Sequence, residues 1–299
     1  MLRIGYFADG VWGQRGLEML AELPDVEIVF VCLRFGAPDQ VLRRMAERRG
    51  IDVLIHPNVN ADDFFEQVRS YRMELLVSMS FDQIFKPRIL EYPRYHAINC
   101  HAGKLPFYRG RNILNWALIN DEREFGITVH YIDTGIDTGD IIRQKVFPIT
   151  DDDTYQTLLQ TAHRECPALL ADAVREIMAG TAVRRRQSEI HPVGMYCGQR
   201  TAGDERLDWN QTSRRVFNFV RALCAPGPGA RSFVQRGERP FEIRIERVRM
   251  IPGAPSYIGI PGQVLYRTGD GFVVKTRDSF VEVTEYQTEQ TIRVGDRLK

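Results

Sequence analysis

The chain has 299 residues, longer than one average domain, with 43% apolar and 26% charged side chains, the balance of a water-soluble protein able to bury a core. Forty basic against thirty-nine acidic residues leave a net charge of +1, so no overall field points to nucleic acid or to an anionic membrane surface. The five cysteines (32, 100, 166, 197 and 224) are scattered without a C-x-x-C, which argues for reduced thiols and against a disulfide framework or a bound metal.

No apolar run approaches the roughly 20 residues that cross a bilayer. The opening MLRIGYFADG reads as a short strand, not as a signal peptide, so a cytoplasmic location is expected. Apolar runs at Arg3–Ala8, Val26–Leu33, Val53–His56, Leu75–Ser80 and Ala97–His101 read as buried strands. Helical patterns lie between them, around Gln14–Leu23, Asp39–Arg49 and Ala61–Tyr71, the first preceded by a glycine-rich turn. Strands alternating with helices of this length predict a Rossmann-like α/β domain: a mostly parallel sheet with helices on both faces.

The residues carry no evidence of an NAD or ATP site. After the first strand the glycines fall at 10, 13 and 16, and Trp12 stands where G-x-G-x-x-G needs its second glycine. The chain also has no G-x-x-x-x-G-K-[ST].

A long helix is expected over Thr154–Ala179, with an acidic start at Asp151–Asp153, Gly180 as its stop and Pro167 as a kink. The following Arg184–Gln187 reads as a solvated turn, and HPVGMYCGQRTAGDE, which lacks periodicity, as a linker. Beyond it come a short helix over Thr212–Leu223 and β-type pieces at Phe241–Met250, Gly262–Tyr266, Gly271–Thr276 and Phe280–Tyr286. Short strands between turn signals predict a smaller C-terminal β-rich domain, a small barrel or sandwich. The boundary is placed at 202/203, giving domains 1–202 and 203–299.

The stretch from Tyr95 to Ile142 carries the chemistry. Asn99 and His101 are two apart at a strand end and so share a face. Asp137 sits in a glycine-punctuated loop after a second strand-like run, FGITVHYID. Ligands of open α/β sheets bind at this carboxyl edge. His96 and His130 read as structural histidines.

NCHAGKLPFYRGRN followed by GITVHYIDTGIDTGDI resembles the 10-formyltetrahydrofolate-dependent formyltransferases, whose pattern is N-x-H, then P-x-x-R-G, then D-x-G-D. RLDWNQTSRRVFNFVRAL with PGPGA is similar to the entry of that family's C-terminal open-barrel (OB-like) domain. The resemblance implies Asn99, His101 and Asp137 as catalytic residues and N10-formyltetrahydrofolate as co-substrate. It implies that Ser80, Phe81, Asp82, Gln83, Ile84 and Phe85, with Asp133, Thr134, Gly135 and Ile136, hold the folate.

The initiator-tRNA members insert a long basic loop after the second strand and carry S-L-L-P. Here only RFGAPDQ follows that strand and the turn reads A-G-K-L-P, closer to the members that formylate an amino sugar on a nucleotide diphosphate. Without phosphate-neutralising charges a tRNA would lose its main electrostatic attraction. The acceptor expected is therefore a nucleotide-linked amino sugar (dTDP-, UDP- or GDP-linked) in surface polysaccharide synthesis, with no nucleic-acid or membrane partner and a possible homodimer. Trp12, Lys104, Arg109, Arg111, Asn112, Tyr196, Arg200 and Phe217 are the candidate substrate contacts. The alternatives are a methionyl-tRNA formyltransferase and a non-catalytic folate- or nucleotide-sugar-binding module.

Overall fold

The computed structural model describes residues 1–236 and 239–299. They divide into two compact units: 1–110, 125–147 and 160–197 make the first, and 111–124, 148–159 and 198–299 the second.

In the first unit, buried apolar runs form β1 (Leu2–Ala8), β2 (Val26–Leu33), β3 (Asp52–Ile55), β4 (Leu75–Met79) and β5 (Ala97–His101). The helices α1 (Gly10–Ala21), α2 (Gln40–Glu47), α3 (Asp62–Ser70) and α4 (Pro87–Glu91) connect them. The short β6 (Arg109–Gly110) follows β5, α5 (Ile113–Ile119) belongs to the second unit, and β7 (Glu124–Tyr131) and β8 (Ile141–Pro148) complete the sheet. The order is β3-β2-β1-β4-β5-β7-β8, parallel from β3 to β5 and antiparallel where β5 meets β7.

Helices cover both faces. Neighbouring residues of a strand point to opposite sides, and on β1 the Tyr6 hydroxyl donates to Gly13 O of α1 at 3.0 Å while Phe7 meets Phe64 of α3 edge-on at 6.3 Å. The mostly parallel Rossmann-like sheet expected from the sequence is thus present.

The first helix starts earlier than its pattern indicated, at Gly10. Gly10 and Gly13, which read as a turn, are in its first turn, and a Cβ on Gly13 would lie 2.9 Å from the Ala8 Cβ. A long helix, α6 (Tyr155–Ala179), runs unbroken with Pro167 inside it. The stretch read as a linker holds β9 (Tyr196–Cys197), which pairs in parallel with β6 through Arg109↔Tyr196 and Gly110↔Cys197. Backbone pairing of two residues requires no hydrophobic period, so it left no trace in the pattern.

The second unit has α7 (Ser213–Leu223) packed against the sheet formed by β10 (Ala230–Arg236), β11 (Arg239–Met250), β12 (Val264–Thr268), β13 (Gly271–Lys275) and β14 (Phe280–Thr288). Its order is β10-β11-β14-β13-β12, antiparallel throughout, the β-rich architecture expected of the C-terminal part. Val216 and Val220 of α7 join Ile243, Val274 and Val281 in its core. Among the described residues no helix is long and apolar enough to cross a membrane.

Candidate active site

The carboxyl edge of β5 gathers four polar side chains. The register pairs Asn99 with His130 and His101 with Thr128 across β5 and β7. Directly opposed residues of an antiparallel pair share a face, and the Asn99 amide nitrogen lies 3.3 Å from His130 Nε2.

Asp137 reaches back into this group. Its Oδ2 lies 3.5 Å from His101 Nδ1 and its Oδ1 3.4 Å from His130 Nε2, while Gly110 N donates to Oδ2 at 2.8 Å. Both imidazoles are enclosed, His101 at 8% exposed and His130 at 2%, while Asn99 and Asp137 are half-buried. Burial by itself would raise the Asp137 carboxyl. The charge of His101, the hydrogen bond and charge of His130 and the Gly110 amide outweigh it and hold the group well below the ordinary carboxylate value.

Both imidazoles are oriented from behind by backbone carbonyls, His101 Nε2 at 2.7 Å from Tyr108 O and His130 Nδ1 at 2.7 Å from Tyr131 O. Those contacts require a hydrogen on the nitrogen concerned. A neutral ring held in this way turns its bare nitrogen toward Asp137, and a second proton turns that nitrogen into a donor.

The loop presenting Asp137 is tightly made. Asp137 has φ +54, a left-handed conformation unfavourable for a residue with a Cβ, and a Cβ on Gly139 would lie 1.9 Å from Tyr131 O. Gln187 props it from beneath, its amide donating to Asp137 O and Gly139 O, both at 2.8 Å.

Two family models cover most of the chain: formyl transferase over residues 19–174 and formyl transferase, C-terminal domain, over residues 200–295. A methionyl-tRNA formyltransferase of Halothermothrix orenii is 34% identical over 284 residues, 91% of this chain and 88% of that protein. The chain belongs to the formyl transferase family.

A second relative, the methionyl-tRNA formyltransferase of Citrifermentans bemidjiense, is 32% identical over 85% of this formyltransferase and 77% of its own length. Among solved structures, the N-formyltransferase from Helicobacter canadensis with folinic acid and dTDP-3-aminofucose has the same fold, with a TM-score of 0.70 at 21% identity over 96% of this chain and 100% of that one. The sugar 3N-formyltransferase WlaRD, with dTDP and 5-N-formyl-THF, gives 0.68 at 19% over 98% and 99%.

The residues expected at the folate side fall into two groups. Phe81 and Phe85 stack on each other at 5.7 Å and both meet Phe7 edge-on, with Phe85 in the core. The Gln83 amide is spent on Val59 N and His56 O, and Ser80 receives the Arg34 guanidinium. Asp82 and Ile84 stand outward, as do Asp133, Thr134, Gly135 and Ile136, and Ile84 and Ile136 are 66% and 54% exposed. A cavity of about 330 Å³ opens beside this second loop, lined by Leu90, Ile132, Asp133, Thr134 and Arg184 among others.

The candidate substrate contacts separate more sharply. Arg109 is 7% exposed, and its guanidinium is consumed by Gln187 Oε1, Val193 O and the Tyr196 hydroxyl. Those contacts brace the site. Tyr196, 57% exposed, has its ring centre 5.1 Å from that guanidinium. Trp12 meets His163 of α6 edge-on at 4.5 Å, and Lys104 is half-buried with its stem over Gly126.

Arg111, Asn112, Arg200 and Phe217 belong to the second unit. There Arg111 bonds Gln199, Asn112 accepts from Arg200 N, and the Arg200 guanidinium lies between Trp116 and Phe219. Phe217 is no open platform: it packs on the core between the guanidinium groups of Arg214 and Arg221.

Two members of the site carry no mark of it in the sequence. His130 reads as structural because a lone histidine in a strand shows nothing of its partner. Gln187 reads as part of a solvated turn because three arginines precede it; these are exposed, whereas Gln187 is 4% exposed.

Proposed function

We propose that this formyltransferase moves the formyl group of N10-formyltetrahydrofolate to the amine of a nucleotide-linked amino sugar, with Asn99, His101 and Asp137 as its catalytic residues. The catalytic part is then residues 1–202 and the C-terminal β-rich part 203–299. The observation that carries the acceptor class is Tyr196: an exposed aromatic ring, braced by Arg109, on the strand paired with the one whose Gly110 amide holds Asp137. A nucleobase needs such a flat face, since base–aromatic stacking contributes about 1–3 kcal/mol.

The outward loops suit a folate. Ile84 and Ile136 offer apolar surface, and the exposed backbone of 133–136 offers donors and acceptors for a heterocycle. When bound, this co-substrate supplies the formyl carbon.

Asn99 donates its amide to the formyl oxygen, a contact that strengthens as the amine adds to the carbon and negative charge gathers there. His101, held between Tyr108 O and Asp137, is suited to act as the imidazolium beside that charge. Asp137 faces both rings and would accept hydrogen bonds from them as the proton lost by the amine moves towards N10, whose bond to carbon breaks.

The solved neighbours with folate compounds and dTDP or a dTDP-sugar support this reading, and they match this chain over nearly their whole length. The curated relatives favour a second reading, methionyl-tRNA as acceptor. Against it stands the connection from β2 to α2: it spans only 34–39, with Arg34 bound to Asp9 and Ser80 and Asp39 capping α2. A place in surface polysaccharide synthesis, a cytoplasmic location and a homodimer belong to the same proposal.

The test is tetrahydrofolate release from 10-formyltetrahydrofolate with dTDP-, UDP- and GDP-amino sugars and with methionyl initiator tRNA. Turnover with one sugar class alone is expected. Comparable formylation of the tRNA overturns the acceptor, and no turnover with any amine returns the chain to a binding module.

A further inference from the structure

We propose that Gln187 is a positioning residue for Asp137, the middle link of a buried clamp running from Arg109 to the catalytic carboxylate; this rests on the reading of Asp137 as catalytic. Asp137 needs holding from two sides, because its backbone is left-handed and its side chain is an anion only 14% exposed. Its side chain has the two imidazoles and Gly110 N. Its backbone has Gln187.

The Gln187 side chain is saturated. Its two N–H groups go to Asp137 O and Gly139 O at 2.8 Å each, and its oxygen accepts from Arg109 Nε at 3.0 Å and Nη2 at 2.7 Å. An amide has two donor hydrogens and two acceptor positions, and all four are used. The network also fixes which way the amide points. Flipped, it would set its oxygen against two carbonyl oxygens and its NH₂ against a guanidinium.

Arg109 is itself anchored. Its third nitrogen donates to Val193 O and to the Tyr196 hydroxyl, so the clamp joins the acceptor-side ring to the loop of the carboxylate. Every member lies in the first unit. Gln187 is 50 positions from Asp137, and among the described residues its side-chain hydrogen bonds go to Asp137 O, Gly139 O and Arg109 and not to Asn99 or His101. Its effect on chemistry must therefore pass through where it sets the Asp137 loop. Displacing a catalytic group by about an ångström can cost on the order of 100-fold in rate.

The test uses Gln187→Glu, which keeps the shape and the Arg109 contact but turns an oxygen toward the carbonyls of Asp137 and Gly139. Gln187→Met serves as a neutral second variant. Carboxyl-carbon NMR follows the titration of Asp137, a readout that needs no acceptor. Its midpoint, depressed in the wild type, is expected to rise by about one unit as the imidazoles and the Gly110 amide lose register with it.

In turnover, kcat is expected to fall about 30- to 100-fold with KM for the formyl donor within about threefold, and Gln187→Glu added to Asp137→Asn should make the enzyme no slower than Asp137→Asn alone. An unmoved Asp137 midpoint in a folded variant, or losses that multiply in the double variant, overturns the proposal. If Asp137→Asn by itself leaves turnover intact, the catalytic reading of Asp137 fails instead, and the NMR titration still decides whether Gln187 positions it.

Discussion

Asp137 in the first unit and Lys275 in the second are both charged groups withdrawn from water, and they are handled in opposite ways. Lys275 is 0% exposed, yet its ammonium is fully occupied by Thr276 O at 2.8 Å, Ser279 O at 3.0 Å and the Tyr257 ring, 4.3 Å from its centre. Burial lowers its basicity and the nearby Asp278 partly offsets this, but its hydrogen-bond partners cannot themselves change protonation. Asp137 faces two groups that can, at separations of 3.4 and 3.5 Å, longer than a settled charge-assisted bond. A buried charge closed off by fixed dipoles holds a fold together. One left among titratable neighbours is equipped to follow a reaction.

That contrast can be broken most sharply at His101. His101→Ala is expected to lower kcat of the folded fraction by about 10³-fold, because a positioned acid–base group contributes about 10² to 10⁴. The variant should also lose about 1–3 kcal/mol in urea unfolding, because Tyr108 O loses its bond to the ring. Full turnover by the folded variant would remove His101 from the chemistry.

Asp137→Asn comes next, with a loss of about 100-fold. The same substitution tests pH dependence. Because folding depresses the Asp137 carboxyl below its ordinary value of 3.8, its stabilising contribution is complete above about pH 4 and lost as the pH falls further. Acid unfolding followed by circular dichroism should therefore be less steep in Asp137→Asn below that pH.

On the other side of the comparison, Lys275→Met strands two buried carbonyls. A loss of about 1–3 kcal/mol in urea unfolding is expected, with kcat of the folded fraction unchanged. A catalytic defect there would erase the distinction drawn between the two charges.

Smaller effects lie at the rim. Tyr196→Ala should raise KM for the acceptor about tenfold through lost stacking, with kcat nearly retained. Ile84→Ser and Ile136→Ser should each raise KM for the formyl donor about fivefold, from the loss of roughly 1 kcal/mol of apolar contact. Unaltered donor binding in both would move the folate elsewhere.

Much of this was written in the order of residues. Strands covered on two faces must be apolar along their length, so β1, β2, β4 and β5 stand out as runs, and the helices between them force the parallel arrangement. Asn99 and His101 share a face by the period of a strand, and Asp137 is marked by its glycine-flanked loop. The family was recognisable from those motifs, as the match over residues 19–174 and 200–295 bears out.

What the order of residues did not contain is which side chains meet across elements. His130 joins the site only because β7 is registered with Asn99 opposite it, and a shift of one residue would turn it to the other face. Phe217 and Arg109 have the side chains of ligand contacts, but packing spends one on a core and the other on Gln187. Gln187 is the plainest case: polar, in a run of arginines, and marked by no period. Local sequence determines which segments become strands and helices because backbone preference and burial act along the chain. Whether a polar residue faces water, a partner or a substrate depends on groups brought together from far along it, and only the tertiary structure decides that.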